Sequence, residues 1–138
     1  MIRAAIRAAI LAALAAFPAA AQEGLMVESP AAILRWLDKI TGETADIELA
    51  RGQSAVSGQL TIQMNECRYP ADNPSSNAYV HLTVMDARQA TPVFSGWMVA
   101  ASPALSALDH PRYDVWPLRC VLPAEAAPVP PAGDGATE

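Results

Sequence analysis

Along most of this chain, apolar residues return at every second position rather than every third or fourth. Leu60, Ile62 and Met64 alternate with Thr61, Gln63 and Asn65, the period of a strand with one face toward a core and the other toward water. Ala78, Val80, Leu82 and Val84 alternate with Tyr79, His81 and Thr83 in a second such run. Between the two, residues 69–77 hold Pro70, Asp72, Asn73, Pro74, Ser75 and Ser76, residue types that end strands and build turns. Residues 93–101 are apolar on both parities, which predicts a strand that is central or covered on both faces. Trp116, Leu118, Cys120 and Leu122 share one parity and predict one face of a final strand. Cys67 has the opposite parity to Leu60, Ile62 and Met64, so either a bulge intervenes or the cysteine faces away from them.

Two segments carry helical signals. Ser102 and Pro103 suit a helix N-cap and first position, Leu105 and Leu108 share a face, and Pro111 forbids extension, which predicts one short helical turn. Ser29 and Pro30 open a second candidate, with Ile33, Leu34, Leu37 and Ile40 at helical spacing and Gly42 as a stop. The same residues also fit a hairpin, with strands over 34–40 and 45–49 around a Thr41-Gly42-Glu43 turn. Periodicity alone favours the helix. Residues 22–30 read as a flexible lead-in. Residues 123–138, rich in proline and alanine, offer too little apolar surface to offset ordering entropy and read as a disordered tail. A single β-rich domain over 31–122 is left between them.

The N-terminus changes the remaining counts. Arg3 and Arg7 precede an uncharged apolar run, Pro18 breaks it, and Ala19-Ala20-Ala21 supplies a small-x-small cleavage pattern, so residues 1–21 read as a secretory signal peptide. The run is shorter than the roughly 20 apolar residues a membrane-spanning helix needs. Removing 21 of the 138 residues leaves 117, and Lys plus Arg drops from 9 to 7 against 14 Asp plus Glu, a net charge of −7. That balance excludes a generic nucleic-acid binder, which needs a basic footprint. No later run is long enough to span a membrane. The expected location is the periplasm, and the expected product is soluble and monomeric. In that oxidising compartment the two cysteines, Cys67 and Cys120, are expected to pair. Closing a loop of this length stabilises a fold by about 4 kcal/mol in the chain-entropy model.

Several idiosyncratic stretches then follow one another in fixed order. They are Leu37-Asp38-Lys39-Ile40-Thr41-Gly42, Gly58-Gln59-Leu60-Thr61-Ile62 leading to Cys67, Phe94-Ser95-Gly96-Trp97-Met98, Ser102-Pro103-Ala104-Leu105-Ser106-Ala107-Leu108-Asp109-His110-Pro111, and Tyr113-Asp114-Val115-Trp116 closing on Cys120. In this the chain resembles an alphaproteobacterial exported family known as domain of unknown function 2155. The resemblance covers nearly all of the domain. It implies a strand pair rather than a helix at 34–49, and it brings no activity, cofactor or catalytic residue with it.

The densest polar cluster is Asp109, His110, Arg112, Tyr113 and Asp114, in a loop pinned by Pro111 and Pro117. A carboxylate beside an imidazole can orient a general base, and Ser95, Ser102 or Ser106 would be the available nucleophiles. The alternative is structural, because aspartates in such loops accept backbone N–H groups and cap turns. Two histidines, His81 and His110, with scattered carboxylates are too few for a zinc or copper site, so neither metal nor cofactor is expected. Trp97 and Trp116 either pack around the disulfide or, with Tyr113, present an aromatic face to a glycan or protein.

The sequence therefore predicts an all-β fold, a small antiparallel sandwich or barrel with one helical turn and a disulfide staple. The expected role is that of a non-catalytic binding or assembly accessory for an unidentified envelope protein or glycan, working through residues 94–120. A small hydrolase using Asp109, His110 and Asp114 is the alternative. The export reading is checked by intact-mass measurement of the cellular product, which should begin at Gln22; a soluble product retaining Met1 would refute it.

Overall fold

The computed structural model describes residues 24–126; the expected signal peptide and most of the expected tail lie outside the described residues. The period-two patterns become strands β1 (Met26–Ser29), β2 (Ala31–Asp38), β3 (Thr44–Ala50), β4 (Ser54–Ser57), β5 (Leu60–Pro70), β6 (Tyr79–Asp86), β7 (Phe94–Val99) and β8 (Tyr113–Val121). They form two antiparallel sheets. One has the order β1-β5-β6-β7, with β4 lying beside β1 along the same side of β5; the other has the order β3-β2-β8. Leu34, Trp36, Leu49 and Val115 from the smaller sheet meet Leu60, Ile62, Met64, Val80, Leu82 and Val84 from the larger one in a single core. The fold is a sandwich, and each fully buried aliphatic side chain contributes about 1.5–3 kcal/mol to it.

Residues 29–49 form the hairpin. The helical spacing of Ile33, Leu34 and Leu37 is a by-product of β2 having its inner face on Ala32, Leu34 and Trp36, with the half-buried Ile33 and Leu37 on its outer face. Pro30 is not a helix start but a corner, where the chain leaves β1 in one sheet and enters β2 in the other. The expected lead-in is corrected at the same place. Met26–Ser29 is a strand paired with β5, and the Ser29 hydroxyl bonds the Val121 carbonyl. Residues 123–126 likewise form a turn against β8, held by Glu125, which accepts from Arg119 at 2.9 Å and from the Leu122 N–H at 3.1 Å.

Two bulges reset the parity read from the sequence. In β5, Met64 opposes Leu82 and Glu66 opposes His81, so Asn65 is the extra residue. The shift returns Cys67 to the inner face and answers its parity. In β8 the register jumps from Arg119 opposite Ile33 to Pro117 opposite Leu34. Tyr113, Val115, Pro117, Cys120 and Val121 are therefore the buried set, and Trp116 and Leu118 point outward, half-buried. The expected common face of Trp116, Leu118 and Cys120 does not exist. β7, predicted to be central or covered on both faces, is an edge strand in which only Met98 is fully buried. The helical turn is a single 3-10 turn at Pro103–Leu105; Ser102 makes no side-chain cap, Leu105 is 77% exposed, and Leu108 is buried.

The sheets are fastened at both ends. At one end Cys67 of β5 and Cys120 of β8 form a disulfide with Cα atoms 5.9 Å apart. At the other, Tyr113 lies across the β4–β5 turn. Gly58 begins that turn at φ +60°, and a Cβ on it would come within 2.7 Å of the Tyr113 ring. Both the backbone angle and the ring exclude a side chain there.

Removing the disulfide tests its weight. Cys67→Ala should lower unfolding free energy by about 2–5 kcal/mol, measured as a shift in the denaturant midpoint, and wild-type protein under reductant should show the same loss.

Candidate functional site

The polar cluster read from the sequence assembles around a partner the sequence did not single out. Apolar parity on β6 runs Val80, Leu82, Val84 and ends on Asp86; on β2 it runs Leu34, Trp36 and ends on Asp38. Both aspartates are buried, at 1% and 4% exposure. An acidic residue ending an inward parity is the signal that would have marked them. The Asp86 carboxylate accepts from the Arg88 guanidinium at 3.1 Å, from the Arg88 N–H at 2.9 Å and from His110 Nε2 at 2.9 Å. Asp38 accepts from Arg112 at 2.8 and 3.1 Å and from the Ile40 N–H at 2.9 Å.

His110 is the hub. Its Nδ1 accepts from the backbone N–H groups of Arg112 at 3.1 Å and Tyr113 at 3.0 Å, which leaves the ring proton on Nε2 to be donated to Asp86. Its carbonyl accepts from Lys39 Nζ at 2.5 Å. The imidazole stacks on Tyr113 with centroids 5.2 Å apart, and the Arg112 guanidinium lies over the same tyrosine at 5.2 Å. Only 3% of His110 is exposed.

This arrangement closes a strand edge. β8 borders the smaller sheet, and its unpaired side must dispose of backbone donors. The Tyr113 N–H goes to His110, the Val115 N–H goes to the Asp114 carboxylate at 2.9 Å, and Pro117 has no N–H. His110 and Asp114 are thus consumed by backbone. Asp109 is exposed and bonds neither of them. Both ring nitrogens of the one buried histidine are occupied by Asp86 and backbone amides, and among the described residues no side-chain hydrogen bond joins Ser95, Ser102 or Ser106 to a histidine.

The aromatic residues also sort differently from expectation. Tyr113 is 2% exposed and presents no face. The tryptophan in the core is Trp36, its ring tilted against Tyr113 with centroids 5.5 Å apart and its Nε1 buried and without a partner among the described residues. Trp116 borders a hollow of about 370 Å³ with Pro103, Ala104, Ala107, Asp114 and Val115.

Trp97 is the most exposed tryptophan, at 37%, on the outer face of the larger sheet. Arg68 reaches across β6 and sets its guanidinium over the indole, 5.3 Å from the centroid; His81 meets the ring edge-on at 5.3 Å. Asn65, the bulged residue of β5, donates to His81 Nδ1 at 3.0 Å and to Thr83 at 2.9 Å and so holds the histidine in place. Trp97, Arg68, Tyr79 and Met26 surround a shallow hollow of about 260 Å³. Beside it, Arg68 pairs with Glu66 at 2.6 Å, and Arg51 pairs with Glu28 at 2.8 Å. Two aromatic side chains, Tyr79 and His81, on the water-facing parity of one strand were the available signal for this face. Among the described residues no group of three or more His, Cys, Asp or Glu side chains is placed to hold a metal ion, and no helix is long and apolar enough to cross a membrane.

A family model described as an uncharacterized protein conserved in bacteria, domain of unknown function 2155, matches residues 32–120. An uncharacterized protein of Rickettsia prowazekii (strain Madrid E) is 30% identical over 87 residues, 61% of this chain and 56% of the relative. The chain thus spans a little over half the length of that relative. No solved structure matches.

The buried carboxylates predict how the fold meets acid. The Arg88 guanidinium, with the His110 ring and the Arg88 N–H, holds the Asp86 carboxyl far below its ordinary value of 3.8. The Arg112 guanidinium, with the N–H groups of Ile40 and Thr41, lowers Asp38. Each depressed carboxyl contributes stability that is present above its unfolded value and lost as pH falls toward its folded one. Urea midpoints should therefore decline from about pH 5 to about pH 2. Asp86→Asn should be less stable at neutral pH and follow a flatter profile; an unchanged slope would remove Asp86 from the account.

Proposed function

The chain belongs to the bacterial family of uncharacterized proteins defined by domain of unknown function 2155, and we propose that it serves as a non-catalytic binding or assembly accessory of the cell envelope. The observation that carries this reading is the exposed Trp97, braced by Arg68 and His81 and bordering a hollow with Tyr79 and Met26. A large aromatic side chain fixed at the surface by its neighbours loses little conformational freedom on contact and suits the centre of a binding face. The working surface is therefore the outer face of the larger sheet around Trp97, with the Trp116 hollow as a lesser candidate. The hydrolase reading draws no support from His110, whose ring is fully engaged with Asp86 and two backbone amides.

A periplasmic location is part of the proposal. It rests on the charged start, the short apolar run and the Ala19-x-Ala21 pattern, together with a disulfide, a bond that persists in oxidising compartments. The partner is a protein or glycan of the envelope.

Immobilised mature protein incubated with periplasmic extract, solubilised envelope and purified peptidoglycan tests the surface. Trp97→Ala should keep the wild-type circular dichroism spectrum and reduce capture from one of these sources at least about tenfold, the loss expected when an anchoring aromatic worth 1.4 kcal/mol or more is removed. Capture unchanged in Trp97→Ala would overturn the assignment. The source that loses signal separates protein from glycan.

A further inference from the structure

The free side of β7 is unlike the other edges of the sandwich. Ala100 N–H donates to the Ala78 carbonyl at 2.8 Å, which sets the parity of the β6–β7 ladder. Phe94, Gly96 and Met98 turn their backbone groups toward β6, and Ser95 and Trp97 turn theirs outward. Among the described residues, nothing bonds the N–H or C=O of Ser95 or Trp97. The β8 edge, by contrast, has its donors capped or deleted, and the opposite side of the larger sheet ends in β1 and β4, strands of four residues each. β7 has six residues, Phe94-Ser95-Gly96-Trp97-Met98-Val99, with no charge and no proline, and so lacks the usual protections of an exposed edge.

Gly96 sharpens the point. Its φ is not positive, and a Cβ built on it would meet only the Phe94 ring, at 3.7 Å, an ordinary contact. Among the described residues nothing requires glycine there. Glycine inside a strand also marks a place where another backbone comes close.

We propose that β7 pairs antiparallel with β7 of a second copy, across a twofold axis passing through Gly96. In that register Ser95 and the partner's Trp97 exchange the two outward N–H···O bonds, and the symmetry repeats the exchange. Gly96 then faces the partner's Gly96 at the non-hydrogen-bonded position, where Cα atoms approach to about 4.5 Å. The side chains complement one another by size. On the outer face the large Trp97 falls opposite the small Ser95 of the partner; on the inner face Phe94 falls opposite Met98. No like charges meet. The product is one continuous sheet of ten strands with both Trp97 hollows on the same side.

The pairing is independent of what the Trp97 face captures, since it uses the backbone of β7 rather than the indole. A short ladder buries far less than a standard interface of about 1,600 Å², so a dissociation constant on the order of 100 μM is expected. Sedimentation velocity on the mature chain from micromolar to millimolar loading should shift from monomer toward dimer. Ser95→Lys, a charge on an exposed side chain, should weaken association about tenfold or more while leaving the melting temperature near wild type. Gly96→Cys should form an intermolecular disulfide under mild oxidation; Val56→Cys, on the exposed short strand β4, should not. A monomer at every concentration, or equal cross-linking at the two cysteines, would overturn the proposal.

Discussion

The backbone amides along the open edge of β8 set the terms for the polar chemistry at one end of this fold. A three-stranded sheet has two edges, and β8 carries one of them beside the connection from β7. The chain answers with an imidazole, a carboxylate and a proline at successive outward positions, 113, 115 and 117. An amide left buried without a partner costs about 1–3 kcal/mol, and His110 Nδ1 alone removes two such costs. Asp86 orients the ring, Arg88 compensates Asp86, and Lys39 ties the His110 carbonyl to the β2–β3 turn. The loop with the densest polar cluster of the sequence thus also ends a sheet.

That device and the disulfide divide the work between the two ends of the sandwich. The covalent bond joins β5 to β8 where the strands finish; the tyrosine over Gly58 and the ion pairs of Asp38 and Asp86 hold the same strands where they begin. The surface pairs are of another kind. Arg35 with Asp46, and Arg51 and Arg68 with Glu28 and Glu66, are half exposed, and pairs of that type contribute from nothing to about 1 kcal/mol. The value of the pairs with Glu28 and Glu66 lies in fixing Arg68 over the Trp97 ring.

Alternation made β5 and β6 legible because each has one dry face, and two cysteines behind an expected export signal made the staple legible. The remainder depended on information that alternation does not carry. A bulge at Asn65 or beside Pro117 inserts one residue and reverses every assignment beyond it. β1 has three exposed residues in four and is a strand because β5 offers it hydrogen bonds, not because of its own pattern. β7 is apolar on both parities for two different reasons, a core beneath it and an exposed face above, and the pattern could not tell these from burial on both sides. His110 finds its carboxylate 24 residues away in Asp86 rather than in its neighbours Asp109 and Asp114. The family resemblance resolved the ambiguous hairpin where periodicity pointed to a helix.

The placement of β8 also has a consequence for how the chain acquires its structure. β2, near the N-terminus, has the last strand as one of its two partners, and the Ser29 hydroxyl bonds a carbonyl 92 residues downstream. A polypeptide emerging N-terminus first can form the β2–β3 and β5–β6 hairpins early, but its core stays open until residue 121 is free. Long-range closure of this kind is slow compared with local pairing. The sandwich is thereby kept open until β8 has been made, a condition that suits any polypeptide that must pass through a narrow channel before it folds.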